Sequence, residues 1–155
     1  MDLVVQSPRL PREGETLIGG PFAVSPGGKG ANQAVAAARM GATVSFVGCT
    51  GDDEHGRMMR GMLDREGIDT AHVAVRAGHP TGVALITVAA AGANTIVVSP
   101  GANAALSPAD IDAARDKIRE ADVLLMQLET PMPTVLRAAE TARDVGTTVI
   151  LNAAP

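Results

Sequence analysis

Tryptophan and tyrosine are absent from this 155-residue chain, and phenylalanine occurs only twice. Single-stranded nucleic-acid binders usually need stacking aromatics and a basic groove. With a net charge of −4, the chain lacks both, which argues against a nucleic-acid partner. Cysteine occurs once, as Cys49, so no internal disulfide can form and a reducing cytoplasm is the natural home. Inside the apolar run "TVSFVGCTG", Cys49 reads as a small buried residue rather than a reactive thiol. No apolar stretch reaches membrane-spanning length, and the N-terminus lacks the basic-then-apolar layout of a signal peptide. A soluble intracellular protein without a membrane partner is expected.

What is present is an ordinary globular balance, 46% hydrophobic and 19% charged residues, with the apolar part mostly Ala, Val, Leu and Ile. The length suits one domain with a real core, and not comfortably two. There is no low-complexity segment and no internal repeat.

From residue 31 onward, β-branched runs alternate with helical patterns. "ANQAVAAARM" reads as a helix and "TVSFVG" as a strand. "DDEHGRMMRGMLDRE" reads as a helix closed by Gly67. A helix over 107–120 opens with "SPAD", in which Ser107 can cap, Pro108 suits the first helical position and Asp110 completes a capping box. "VLLMQLE" and "TTVILN" read as strands buried on both faces, with the helix "PTVLRAAETARDVG" between them. This alternation predicts right-handed βαβ crossovers and a parallel sheet. Two stretches break the rhythm. "VALITVAAAGANTIVVSPG" predicts an antiparallel hairpin with a Gly-Asn turn, and residues 3–24 predict extended strand and loop. These excursions fit either a small flap beside the main body or an antiparallel edge added to its sheet.

The stretch "SPGGKGANQAVAAARMG" places three glycines and a lysine before a helix. A P-loop would need glycine at Ala23 and Ser or Thr at Gly30; a dinucleotide fingerprint would need glycine at Gln33. Neither motif is present. Gly27, Gly28 and Gly30 instead let backbone approach a ligand closely. Lys29 stands where a helix N-terminus prefers negative charge, so it calls for a carboxylate or a polyhydroxylated ligand nearby. Asn32, with donor and acceptor atoms in the first helical turn, completes a set suited to a neutral, hydroxyl-rich molecule. The bland reading is a flexible turn whose lysine points to water. Glu129 follows the apolar run "VLLMQL", at the carboxyl end of a parallel strand, where open α/β sheets bind ligands. Its bland reading is a solvated loop charge.

At these residues the chain resembles the ribokinase-like carbohydrate kinases. Gly27, Gly28, Asn32, Ala34, Gly41 and Gly51 reproduce the spacing of that family's first signature. "GGKGANQAVAA", "CTGDD", "TGVALI", "GANAALS" and "LLMQLE" resemble further family segments in family order. The resemblance covers essentially all 155 residues, as the N-terminal half of one such domain. It implies a Rossmann-like parallel sheet with helices on both faces, an α/β fold with a small β lid, here near 3–25 and 82–99. It also implies ATP-dependent phosphate transfer to the 5-hydroxyl of D-ribose, with Mg2+, a monovalent cation such as K+, and a homodimer formed through the lids. Carried over by position, Asp2, Gly28, Lys29, Gly30, Asn32 and Glu129 would contact the sugar.

The chain departs from the pattern at both ends. Family members carry an apolar strand, interior to the sheet, and a "G-S-x-N" segment before the aspartate matching Asp2. The half that would follow "ILNAAP" carries the nucleotide site, the cation loop and a "G-A-G-D" motif, whose aspartate is the general base. No catalytic residue is therefore expected here. Asp52 and Asp53 in "TGDDEHG" read as a cap and first-turn charge of a helix. His55, His72 and His79 match neither a metal site nor a triad. The leading expectation is the sugar-binding half of a kinase, inactive alone. The alternatives are a non-catalytic sugar-binding module and a kinase for a nucleoside or another sugar such as fructose 6-phosphate.

Overall fold

The computed structural model describes residues 1–154. The chain runs through β1 (Asp2–Ser7), β2 (Phe22–Ser25), α1 (Lys29–Arg39), β3 (Ser45–Gly51), α2 (Glu54–Arg65) and β4 (Asp69–Arg76). It continues through β5 (Val83–Ala89), β6 (Asn94–Ser99), a 3-10 turn at Gly101–Ala105, α3 (Pro108–Ala113) and α4 (Arg115–Glu120). β7 (Val123–Met126), α5 (Met132–Val145) and β8 (Thr148–Leu151) complete it. No helix among the described residues is long and apolar enough to cross a membrane.

The βαβ rhythm produces two parallel pairs, β3–β4 and β7–β8. The two excursions meet in a separate sheet of order β2-β1-β5-β6, in which β1 and β5 are parallel and the outer pairings antiparallel. This flap sheet shares no strand pairing with either parallel pair. The β5–β6 turn is closed by hydrogen bonds from Gly92 N to Ala89 O and from Ala89 N to Ala93 O, both 2.8 Å.

Ala31 and Ala34 of α1 pack with Met59 and Leu63 of α2 and Val73 of β4 into one core cluster. Ile111, Ile118, Met126, Val135 and Ala138 form a second around α5. Between the facing edges of β3 and β7 runs a slot of about 710 Å3, so the two parallel pairs share no hydrogen bond. Several expectations change here. β8, read as buried, is exposed along its length, with Ile150 50% accessible, because it is an edge strand whose faces carry little cover. Val123 and Leu125 of β7 are likewise more than 40% accessible.

The helix expected over 107–120 is broken at Ala114, whose N–H is shared between the Asp110 and Ile111 carbonyls. Ile111, Ala114 and Ile118 are all buried, at the i, i+3, i+7 spacing of a single helix face. The Asp110 carboxylate accepts from the Ser107 amide, its share of the capping box, and also from the Ser107 hydroxyl. β4 has no assignment from sequence; His72 and Arg76 interrupt its apolar alternation.

Candidate functional site

α1 begins at Lys29, earlier than its alanine run implies, with Gly28 at the N-cap position in a left-handed conformation (φ +97°) that favours glycine. No side chain of the loop caps this helix. Its first amide is met from the other end of the chain instead. Lys29 N donates to Glu129 Oε2 at 3.2 Å, and Lys29 Nζ to Glu129 Oε1 at 2.5 Å. The charge that looked misplaced at a helix N-terminus is thus neutralised by a carboxylate that also suits the helix dipole. Both partners are only partly accessible, which strengthens the pair relative to one in open solvent.

Glu129 is held by its neighbour in turn. Its backbone N–H donates to Gln127 Oε1 at 3.3 Å. The other end of the Gln127 amide lies against Gly30, where a Cβ would come 2.5 Å from Nε2. Gly27 packs against Asp2, so any side chain there would run into the Asp2 carboxylate. The Met1 ammonium donates to Gly82 O at 2.9 Å. Burial lowers its pKa, while the Asp2 and Glu129 carboxylates pull the other way.

These groups enclose a cavity of about 110 Å3. Gly28, Lys29, Gly30 and Glu129 line it; the Asp2 carboxylate packs against Gly27, which lines the cavity, but Asp2 itself does not. Asn32 is exposed on the first turn of α1 and does not line the cavity. Thr81, Gly82, Asn103, Gln127 and Thr130 do line it, although none carried a role in the sequence reading. Thr81, Gly82, Asn103 and Gln127 were signalled only by membership of "TGVALI", "GANAALS" and "LLMQLE", and Thr130 lies just beyond the last of these.

Elsewhere, Asp53 caps α2, accepting from Gly56 N at 2.8 Å. Cys49 is buried, and burial pushes its thiol pKa up against the opposing pull of Arg76, which disfavours the thiolate. Among the described residues no group of three or more His, Cys, Asp or Glu is placed to hold a metal ion. No chemical step is assigned through Mg2+, K+ or a nucleotide. What the cavity offers is recognition: paired donors and acceptors at the junction of a helix N-terminus and a strand end.

The chain is 46% identical over 154 residues to a ribokinase of Haemophilus influenzae, covering 99% of this chain and 50% of that protein. It is 39% identical over 155 residues to a deoxyribokinase of Salmonella typhimurium, covering 100% and 51%. A solved structure of Arabidopsis thaliana ribokinase complexed with ribose and ATP superposes with a TM-score of 0.87 at 33% identity, covering 98% of this chain and 50% of that one. The chain spans about half the length of the relatives it matches. The pattern of the pfkB family of carbohydrate kinases matches residues 1–155 throughout, and the chain belongs to that family.

Proposed function

We propose that this chain is the sugar-binding half of a ribokinase, a protein that transfers phosphate from ATP to the 5-hydroxyl of D-ribose. The observation that carries the reading is the Lys29–Glu129 pair, which joins α1 to the end of β7 beside a cavity of about 110 Å3. That volume lies well below the roughly 300–1,000 Å3 of pockets for drug-sized ligands, and suits a small polyol rather than a nucleotide. Lys29 donates and Glu129 accepts, so sugar hydroxyls find both partners at one wall, with Asp2 beyond Gly27. ATP, Mg2+ and the monovalent cation would be held by the other half of the protein, together with the general base. This chain's part is to bind and orient the sugar and to exclude water from it.

The four-stranded sheet would act as the lid. Val24, Leu3, Leu85 and Val97 are cross-strand partners in one row, and three of them are exposed, which suits a homodimer formed lid to lid. A free Cys49 suits the cytoplasm.

Calorimetric titration of the full-length protein with D-ribose tests the reading. Binding that is weakened by Lys29→Ala and by Glu129→Ala supports it; unchanged affinity in both variants overturns the site. The deoxyribokinase relative supplies a second reading, in which 2-deoxyribose is the sugar. Tighter binding of 2-deoxyribose than of ribose would select it. Sugar binding without ATP turnover by the full-length protein would instead indicate a non-catalytic binding module.

A further inference from the structure

The chain passes between the flap sheet and the rest of the molecule at 77–82 and again at 100–103, and these two crossings touch. Ala102 N donates to Pro80 O at 2.7 Å. A side chain at Gly82 would meet Pro100 O at 2.6 Å and Asn103 Nδ2 at 3.0 Å. At Gly51, the last residue of β3, it would run into the backbone of His79, Pro80 and Thr81. Three backbone segments therefore meet without side chains between them.

One carboxylate ties this junction together. Asp53 Oδ2 accepts from Thr81 N at 2.7 Å, and Oδ1 accepts from Thr81 Oγ1 at 2.6 Å as well as from Gly56 N. Thr81 Oγ1 accepts in turn from Gly51 N at 3.0 Å. A helix cap needs only the Gly56 bond, which a serine could supply. The remaining bonds go to the crossover, and Thr81 is buried while lining the cavity.

We propose that Asp53 is a positioning residue for the sugar cavity. Acting through Thr81, it fixes the 79–82 crossover against the end of β3. That contact sets the cavity wall formed by Thr81, Gly82 and Asn103, and the angle at which the flap sheet stands. Asp53 itself does not line the cavity. The consequence for sugar binding rests on the reading given above; the latch itself does not.

The test is hydrogen exchange of the full-length protein carrying Asp53→Ser or Thr81→Val. The first keeps a capping oxygen and loses the second acceptor. The second leaves Asp53 and its cap in place. Both should speed exchange in peptides covering 49–51, 79–83 and 100–103 by about tenfold, the order expected for a lost charge-assisted bond, while the body of α2 stays protected. Faster exchange confined to the first turn of α2, or none, overturns the proposal, because Asp53 would then be a cap alone. If Asp53→Ser fails to fold, Thr81→Val decides by the same criterion.

In kinetics, Asp53→Ser should raise KM for ribose about tenfold with a smaller change in kcat. Opened crossover peptides with an unchanged KM would overturn the role at the cavity. Failure of the unaltered protein to bind ribose would overturn the sugar reading, and the exchange result would still decide the latch.

Discussion

Lys29 Nζ lies 2.5 Å from Glu129 Oε1, joining residues 100 positions apart in sequence. The pair closes one side of the candidate sugar cavity, and its two members supply opposite hydrogen-bonding capacities there. Removing Glu129 leaves the Lys29 ammonium without its carboxylate, removing the Lys29 side chain leaves Glu129 only the Lys29 amide, and on the proposed reading either change takes one contact from the sugar.

Lys29→Ala and Glu129→Ala are each expected to weaken ribose binding by about 10- to 100-fold, the range for a lost charge-assisted hydrogen bond. The double variant should lose less than the product of the two single effects, since the residues are in contact. Calorimetric titration of the four proteins gives the cycle.

Two glycine-to-alanine changes should differ sharply. At Gly51 the new Cβ meets main-chain atoms, including Thr81 N at 2.7 Å, and nothing nearby can yield. A loss of about 1–3 kcal/mol or more is expected. At Gly30 it meets the end of the Gln127 side chain, which can swing away and release its bond to Glu129 N. Gly30→Ala should therefore cost little stability yet weaken sugar binding. Denaturant melts beside ribose titrations separate the two effects, and equal melting losses would contradict this account.

Acid should loosen the Asp53 junction. Burial raises the Asp53 pKa, but the Thr81 hydroxyl, the Thr81 and Gly56 amides and the nearby His55 more than offset it and hold the carboxyl at about 2. A carboxyl depressed in the folded state contributes stability that is fully present above its ordinary value of about 4. That contribution is lost as pH falls through about 2. Melting temperature followed from pH 5 to about 2 should fall less steeply in Asp53→Asn than in the unaltered protein. Identical slopes would remove Asp53 from the acid response.

Leu63 is fully buried in the cluster formed by α1, α2 and β4. Leu63→Ala should cost about 2–5 kcal/mol, from lost transfer energy and the cavity left behind. Met40, 88% accessible just after α1, should tolerate alanine within about 0.5 kcal/mol. Urea midpoints read both.

Val97 is 66% accessible at the end of the cross-strand row in the flap sheet. In the full-length protein, Val97→Glu should shift sedimentation from dimer toward monomer. A dimer unaffected by that charge would place the subunit contact elsewhere.

Much of this was legible in order along the chain. Gly67 and Gly146 stop helices in left-handed conformations, Asp53 and Ser107 start them, and Gly92 turns the hairpin. Such signals are local, set by backbone sterics and capping hydrogen bonds, so sequence carries them. The glycine-rich loop could likewise be denied a phosphate motif by position alone. Burial was less legible. β8 has the apolar run of a covered strand but stands exposed, because cover depends on which elements pack beside it.

By itself, the sequence determined the βαβ alternation, the caps of α2, the start of α3, the end of α5, the hairpin and the set of residue types suited to a hydroxyl-rich ligand. These rest on periodicity and on chemistry within a few residues. Only the tertiary structure decided that Glu129 answers Lys29, that Gln127 backs Gly30, and that Asp53 reaches past its helix to Thr81. It also left Asn32 outside the cavity lining. Those outcomes turn on where strand ends and helix starts meet in space, at separations that no local pattern encodes.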